Sequence, residues 1–580
     1  MNFFRKYAAL LAVLFALMLA VSAPYLVPVN PDSAVFRSAV LPLILIFATF
    51  FPVRHALQTH SRRTLGFGLA LGLIFAVCLS LGSELVVYDG LLPGKGALLR
   101  RLAVPCLAAP TISALFSFAF SFSASKPEKH GRIPGWAFFL LLAACYLLVF
   151  LAFYPGVVAY DFEHEIRQFT TGEFEAAHPV FHTLFLGALY TLGEKLFGSM
   201  TAGAATYSVV QLLLLAGLYA WACAFVQRRT PKWAAPLLAL GFGFLPFHGV
   251  MAVSTAKDPL FSGLCVMLCL TVWEIAESPD AALHNRKLCA RFAVVCVLMC
   301  LLRHNAIAAV ALGCVAVLVM GKRAAVLLCA AALLPSLALP RALEASVHAV
   351  KTPSSEMMAI PCQQLMRTAE RACVSEDEYA EINSWFSNAT HRYQPHNADP
   401  AKGGNFTFDR YQENPGDFWS LYLKYAKKYP RVYLEAFLEN CAGLWNPDDV
   451  SHAHALGGEM WDYVYMNTVY NYEGVYPIEV QSRLPRLYKL LFSFTHHSIQ
   501  ERYPFLAELF RPSFYVYVLL FIVLDGRCQR RRRLALATCP LWGLFATLLF
   551  SAGVFVRYAY PMMAAVPPLL MLTLFSDSQN

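Results

Sequence analysis

Charged residues are scarce in this chain: they make up 14% of its 580 residues, against 58% hydrophobic. A soluble domain carries about 25% charged and about 45 to 50% apolar residues. The shortage, together with a mean hydropathy of +0.51, excludes a water-soluble protein. Paired-cysteine motifs are missing as well. No Cys-x-x-Cys occurs among the 16 cysteines; most, such as Cys265, Cys269, Cys296 and Cys300, lie inside apolar runs and act there as small hydrophobes. A zinc or thiol-redox centre therefore has little support. Neither a P-loop nor a dinucleotide fingerprint is present, so no nucleotide site is expected. No internal repeat of about 20 to 50 residues points to a solenoid.

What the chain does have is a succession of apolar runs of about 17 to 25 residues, each long enough to cross a bilayer as a helix. They number about 13 to 15 and run from residue 7 to residue 574. The first follows Arg5 and Lys6 and ends at a Ser-Ala-Pro step; it is long for a signal peptide and reads as a retained anchor. Lys and Arg total 46 against 37 Asp and Glu, a net charge of +9. In a membrane protein such an excess marks cytoplasmic loops, and no nucleic-acid partner is expected. The clusters Arg54 with Arg62 and Arg63, Lys126 with Lys129 and Arg132, Arg228 with Arg229 and Lys232, Arg286 with Lys287 and Arg291, Lys322 with Arg323, and Arg530 to Arg533 are assigned to the cytoplasm. Two full spans between His178 and Arg228 would break this alternation, so 179–197 is expected to be only partly embedded.

The expected class is an all-α polytopic membrane protein of the plasma (inner) membrane, in contact with membrane lipids. Four regions follow: an N-terminal transmembrane bundle at 1–133, a transmembrane core at 134–340 with an acidic first loop at 154–178, an extracytoplasmic segment at 341–511, and C-terminal transmembrane helices at 512–580. The extracytoplasmic segment is expected to be mainly helical. Pro415 suits the first turn of a helix reaching about Tyr429, and Pro430 that of a second reaching about Gly443. Cys362 and Cys373 lie close enough in sequence for a disulfide that closes a short loop.

The polar residues that interrupt the apolar pattern collect on the face opposite the basic clusters. Tyr154-Pro155-Gly156 turns the chain into Asp161, Glu163 and Glu165; carboxylates so close together could supply a general base and, at Asp161 and Glu163, ligands for a divalent cation such as Mg or Mn. An ordinary acidic loop would look the same. His178-Pro179 opens an apolar helix, with His182 one turn later on the same face, placed to meet phosphate or hydroxyl groups near a helix N-terminus. Lys257 and Asp258 form a turn between two runs and could simply pair with each other; Arg303 with His304, and Arg557, raise the same question. Ionisable groups near hydrocarbon are functional candidates by default. A carboxylate opposite several cations is the composition that deprotonates an acceptor and grips a leaving phosphate.

In order, the acidic loop with Asp161-Phe162-Glu163, the Pro-led helix from His178 to Ser199, the Lys257-Asp258 turn and Leu302-Arg303-His304-Asn305 resemble the GT-C glycosyltransferase superfamily. That group includes protein O-mannosyltransferases and lipid A aminoarabinose transferases, and an uncharacterised bacterial branch looks closer still. The resemblance covers 134–345; His178 stands where several members carry Glu, and five or so spans before the acidic loop exceed the usual single one. It implies a GT-C-like helix bundle and transfer of a sugar, with inversion, from a polyprenyl-phosphate donor to a cell-envelope glycan, lipid or protein outside the membrane. Asp161 would be the catalytic base, and Glu163, His178, His182, Lys257, Asp258, Arg303, His304 and Arg557 would bind substrate. A transporter or flippase for lipid-linked saccharides is the alternative from another class, and a polymerase or ligase of surface polysaccharide a third.

Overall fold

The computed structural model describes residues 2–27, 38, 40–120, 133–158, 161–351, 357–387, 393–403, 406–448, 478, 481–493 and 508–576. The basic residues Lys126, Lys129 and Arg132 lie outside these. Among the described residues the regular structure is helical, and strand-like pairing is confined to isolated bridges.

Nine helices among the described residues are long and apolar enough to cross a membrane: Ala8–Tyr25, Val40–Thr59, Arg62–Tyr88, Lys95–Ala119, Gly135–Ala152, Met200–Gln227, Asp258–Glu277, Arg323–Ser346 and Val556–Phe575. A bent pair, Ala234–Phe244 with Pro246–Ala252, makes a tenth if counted as one span. The chain is thus an all-α, multi-pass membrane protein. Nine or ten among the described residues is fewer than the expected 13 to 15, the other runs forming shorter or less apolar helices. Hydropathy registers an apolar run but not a helix that stops within it. Arg286–Leu302 and Pro512–Cys528 have 17 residues each, Ala306–Leu318 has 13, and the run at 534–552 is divided between Arg532–Ala537 and Cys539–Leu548. Val180–Phe197 is long enough but diluted by His182, Glu194 and Lys195, and it is not among the nine.

Burial ranks the helices. Of its most apolar stretch, Asp258–Glu277 buries 83%, against 22% for Val40–Thr59, so the former is the axis of the bundle and the latter keeps an apolar face outward. Asp258–Glu277 packs on Val556–Phe575, Arg286–Leu302 and Met200–Gln227. The first three of these four carry or flank the cationic candidates Lys257, Arg557 and Arg303. The 64° bend in the split span falls at Leu245, which precedes Pro246 and is extended, with ψ at 122°, as the proline ring demands of the residue before it.

The segment after Ser346 is helical and has its own core, built from Met358, Cys362, Leu365, Trp385, Phe418 and Tyr425. Pro415–Lys428 and Pro430–Asn440 begin at the expected prolines, and a short helix, Ala442–Trp445, follows the second. The expected disulfide does not form. Cys362 is buried in this core while Cys373 is exposed beyond the end of Ala359–Arg371, and both are free thiols.

The first four spans pack among themselves and then onto this segment and the last spans. Phe75 meets Tyr517 and Phe120 stacks on Phe521, with ring centroids 4.9 and 4.8 Å apart. At one end the chain past Tyr88 is clasped: the buried Arg367 donates to the Asp89 carbonyl at 3.1 Å, and Glu435 accepts from the Leu91 N–H at 2.9 Å. Arg367 also pairs with Glu435 and Glu439.

Candidate functional site

The site begins with a close backbone approach. Gly156 has φ of +130°, and a Cβ there would lie 2.1 Å from Ser208 Oγ and 2.8 Å from the Val253 carbonyl. A residue with a side chain could not pass so near. The next residue, Val157, pairs in parallel with Ser254: the Val157 N–H donates to Val253 O and the Thr255 N–H to Val157 O, each at 2.9 Å. Gln211, from Met200–Gln227, donates its amide to the carbonyls of Ala252 and Ser254. The turn before the acidic helix Asp161–Thr171 is thereby fastened to the turn before Asp258–Glu277. Phe162 and Ile166 fix the acidic helix by burial against Leu186, Tyr190 and Tyr207.

This places Lys257 against the acidic helix. Its Nζ lies 2.9 Å from Asp161 Oδ2, 3.1 Å from His178 Nδ1 and 3.9 Å from Glu165 Oε1. Glu165, almost wholly buried, bonds His182 Nδ1 at 2.5 Å and accepts from Thr183 Oγ1 at 3.2 Å. His182 Nε2 lies 2.8 Å from Tyr207 Oη, which donates to Gln211 Oε1 at 2.8 Å. A polar chain thus runs from the lysine into the apolar bundle. Arg557 Nη1 stands 3.7 Å from Asp161 Oδ2. Beside it, Asp258 pairs with Arg303, and both guanidiniums lie over the Tyr558 ring, 5.0 Å for Arg303 and 4.8 Å for Arg557.

The electrostatics follow from burial set against neighbours. Burial alone would raise the Asp161 carboxyl, but Lys257, Arg557 and His178 outweigh it and hold the group well below the usual carboxylate range. Glu165 is likewise lowered: burial opposes ionisation, and His182, Lys257 and His178 overcome it. His178 is lowered by burial and then by Lys257, more than Asp161 and Glu165 raise it. A neutral His178 can accept the lysine's proton at Nδ1.

Of the candidate residues, Asp161, His178, Lys257 and Arg557 meet directly, His182 joins through Glu165, and Asp258 and Arg303 form the adjoining pair. Lys257 therefore pairs across the fold with Asp161 rather than with its neighbour Asp258. His304 is exposed at the edge, against the backbone of Ala176. Glu163 is the residue that the geometry separates: two positions after Asp161 it is turned about 200° around the helix axis, and the carboxylate grouped with Asp161 and His178 is Glu165. The i, i+4 spacing of Asp161 and Glu165 carried that signal. Tyr207 and Gln211, also four apart, were hidden in an apolar run.

A divalent cation fits this cluster poorly. The ligand atoms of Asp161, Glu165 and His178 lie within 4.8 Å of one another, but the Lys257 ammonium already bonds two of them and approaches the third. An added ion would compete with it for the same ligand atoms.

No curated protein and no solved structure matches the chain. A family match covers 169–580, beginning inside the acidic helix, so that His178, His182, Lys257, Arg303 and Arg557 fall within it and Asp161 and Glu165 just before it. By that match over most of its length, the chain belongs to a family of unknown function, DUF6020.

Proposed function

We propose that the protein is an integral membrane glycosyltransferase of the GT-C kind. It moves a sugar from a polyprenyl-phosphate donor to a cell-envelope acceptor on the extracytoplasmic face, with inversion. The observation that carries this reading is a buried carboxylate, Asp161, held by two cations, Lys257 and Arg557, with the Arg303–Asp258 pair beside them. Held so, Asp161 is a weak base. A donor phosphate that draws Lys257 and Arg557 onto its own oxygens removes the charges that lower the carboxyl, and its basicity rises toward the range useful for proton transfer. Asp161 then accepts the proton of the acceptor hydroxyl as that oxygen attacks the anomeric carbon. The bond from that carbon to the phosphate oxygen breaks on the opposite side, and polyprenyl phosphate leaves with the electron pair, its charge met by Lys257 and Arg557.

Asp161→Asn keeps the shape of the side chain and removes the base. In membranes supplied with a polyprenyl-phosphate sugar it should abolish transfer while expression and insertion stay normal; a rate within about threefold of wild type, below the effect of losing a general base, overturns the role. In proteoliposomes, wild type should cleave donor supplied on one leaflet without a gradient. Movement of intact lipid-linked sugar across the bilayer with no cleavage would replace the transferase by a flippase.

A further inference from the structure

The ligand-like trio Asp161, Glu165 and His178 is already neutralised from within the chain. Lys257 is the N-cap residue of Asp258–Glu277; its flexible stem reaches across to the acidic helix, where its ammonium bonds Asp161 and His178 and faces Glu165. Those three residues offer one atom each, all within 4.8 Å of one another, and two carboxylates with one imidazole are a donor set that suits Mn²⁺. A metal bound at about 2.0 to 2.2 Å from such donors would set two cations against each other in a nearly dry site, where like charges repel strongly.

We propose that the Lys257 ammonium is a tethered replacement for a metal ion in the Asp161–Glu165–His178 cage, so that the site works without a divalent cation, and that removing the ammonium turns the cage into a metal site. The consequence for sugar transfer rests on the reading above: a lysine can leave Asp161 for a donor phosphate and return, so one group serves as counter-charge to the base and as grip on the leaving group. Glu165 is held by His182 and Thr183 and stays in place when the lysine is truncated.

The test uses the full chain in detergent with Mn²⁺ as the probe, read by electron paramagnetic resonance, and needs neither sugar nor lipid donor. Lys257→Ala and, as a second variant, Lys257→Met should each bind one Mn²⁺ about tenfold or more tighter than wild type, a preference set by the freed donor set. Adding Glu165→Gln to either should remove that binding, and Lys257→Arg should bind no better than wild type. Circular dichroism verifies that each variant is folded. Folded Lys257→Ala and Lys257→Met that gain no Mn²⁺ overturn the proposal. So does Mn²⁺ binding by wild type that Glu165→Gln abolishes, a result that stands even if the lysine variants do not fold. Failure of the transferase reading shows instead as absent donor cleavage, with the metal result unchanged.

Discussion

Asp161, Glu165 and His178 each owe part of their charge state to Lys257, and single substitutions should reveal this. Lys257→Ala should slow transfer by more than about tenfold, the effect of losing a charge-assisted contact worth about 1.5 to 3 kcal/mol; an unchanged rate would remove the lysine from the phosphate site. His178 offers a pH test. Its folded pKa is lowered, first by burial and then by Lys257, so its contribution to stability is full above the unfolded imidazole value of about 6.5 and is lost as pH falls below it. Asp161 and Glu165 are also lowered; their contribution is present above the unfolded carboxylate value of about 4 and is lost only in stronger acid. Melting temperatures in detergent should therefore fall between about pH 7.5 and 5.5, with a shallower fall in His178→Gln. Parallel curves for wild type and variant would contradict the neutral, half-buried histidine.

The site exists because two short turns are fastened together, and that is a property of elements rather than of any one side chain. Gly156→Ala places a Cβ against Ser208 and the Val253 carbonyl at a positive φ, a clash and strain that should cost about 1 to 3 kcal/mol. It should lower both the melting temperature and transfer, since it parts the Val157–Ser254 bridge that brings Lys257 to Asp161. A variant as stable and active as wild type would show that the bridge does not set the site. The helix Ala359–Arg371 makes a second such junction. Arg367→Ala leaves Glu439 buried without its cation and Glu435 with Arg431 alone, a loss of about 3 to 5 kcal/mol for a broken buried pair. It should also loosen the chain at Asp89, read as faster amide exchange at 89–91; exchange unchanged there would separate the first four spans from the segment they contact.

For the whole molecule, the charge distribution leads us to propose that the segment 341–511 lies outside the cytoplasm together with the cluster. Cys373 reports on this without an introduced cysteine, because it is exposed on that segment; Asn405, in the same segment, lies outside the described residues. An impermeant maleimide applied to intact cells, with any outer membrane permeabilised, should label wild type, and Cys373→Ser should lose that label. Labelling that requires lysis would reverse the orientation and with it the side on which donor and acceptor are expected.

The membrane class, the helices opened by Pro415 and Pro430, and the gathering of ionisable residues at span ends were all legible in the chain, because each depends on local physics. A side chain's partition between water and lipid, or a proline's missing N–H, acts through its own few neighbours. The span count was less legible: a run stays apolar on paper where one helix stops and another starts, as at Thr538. Partner choice was not legible at all. Lys257 stands next to Asp258 in sequence yet bonds Asp161, and Asp258 turns to Arg303; Glu165 rather than Glu163 joins Asp161 because one helical turn, not two residues, brings side chains to a common face. Those pairings were decided by the Val157–Ser254 junction and the packing around Asp258–Glu277, contacts between segments far apart in the chain. A buried charge takes whichever counter-charge the fold carries to it, since leaving it unpaired away from water costs more than any local preference can supply.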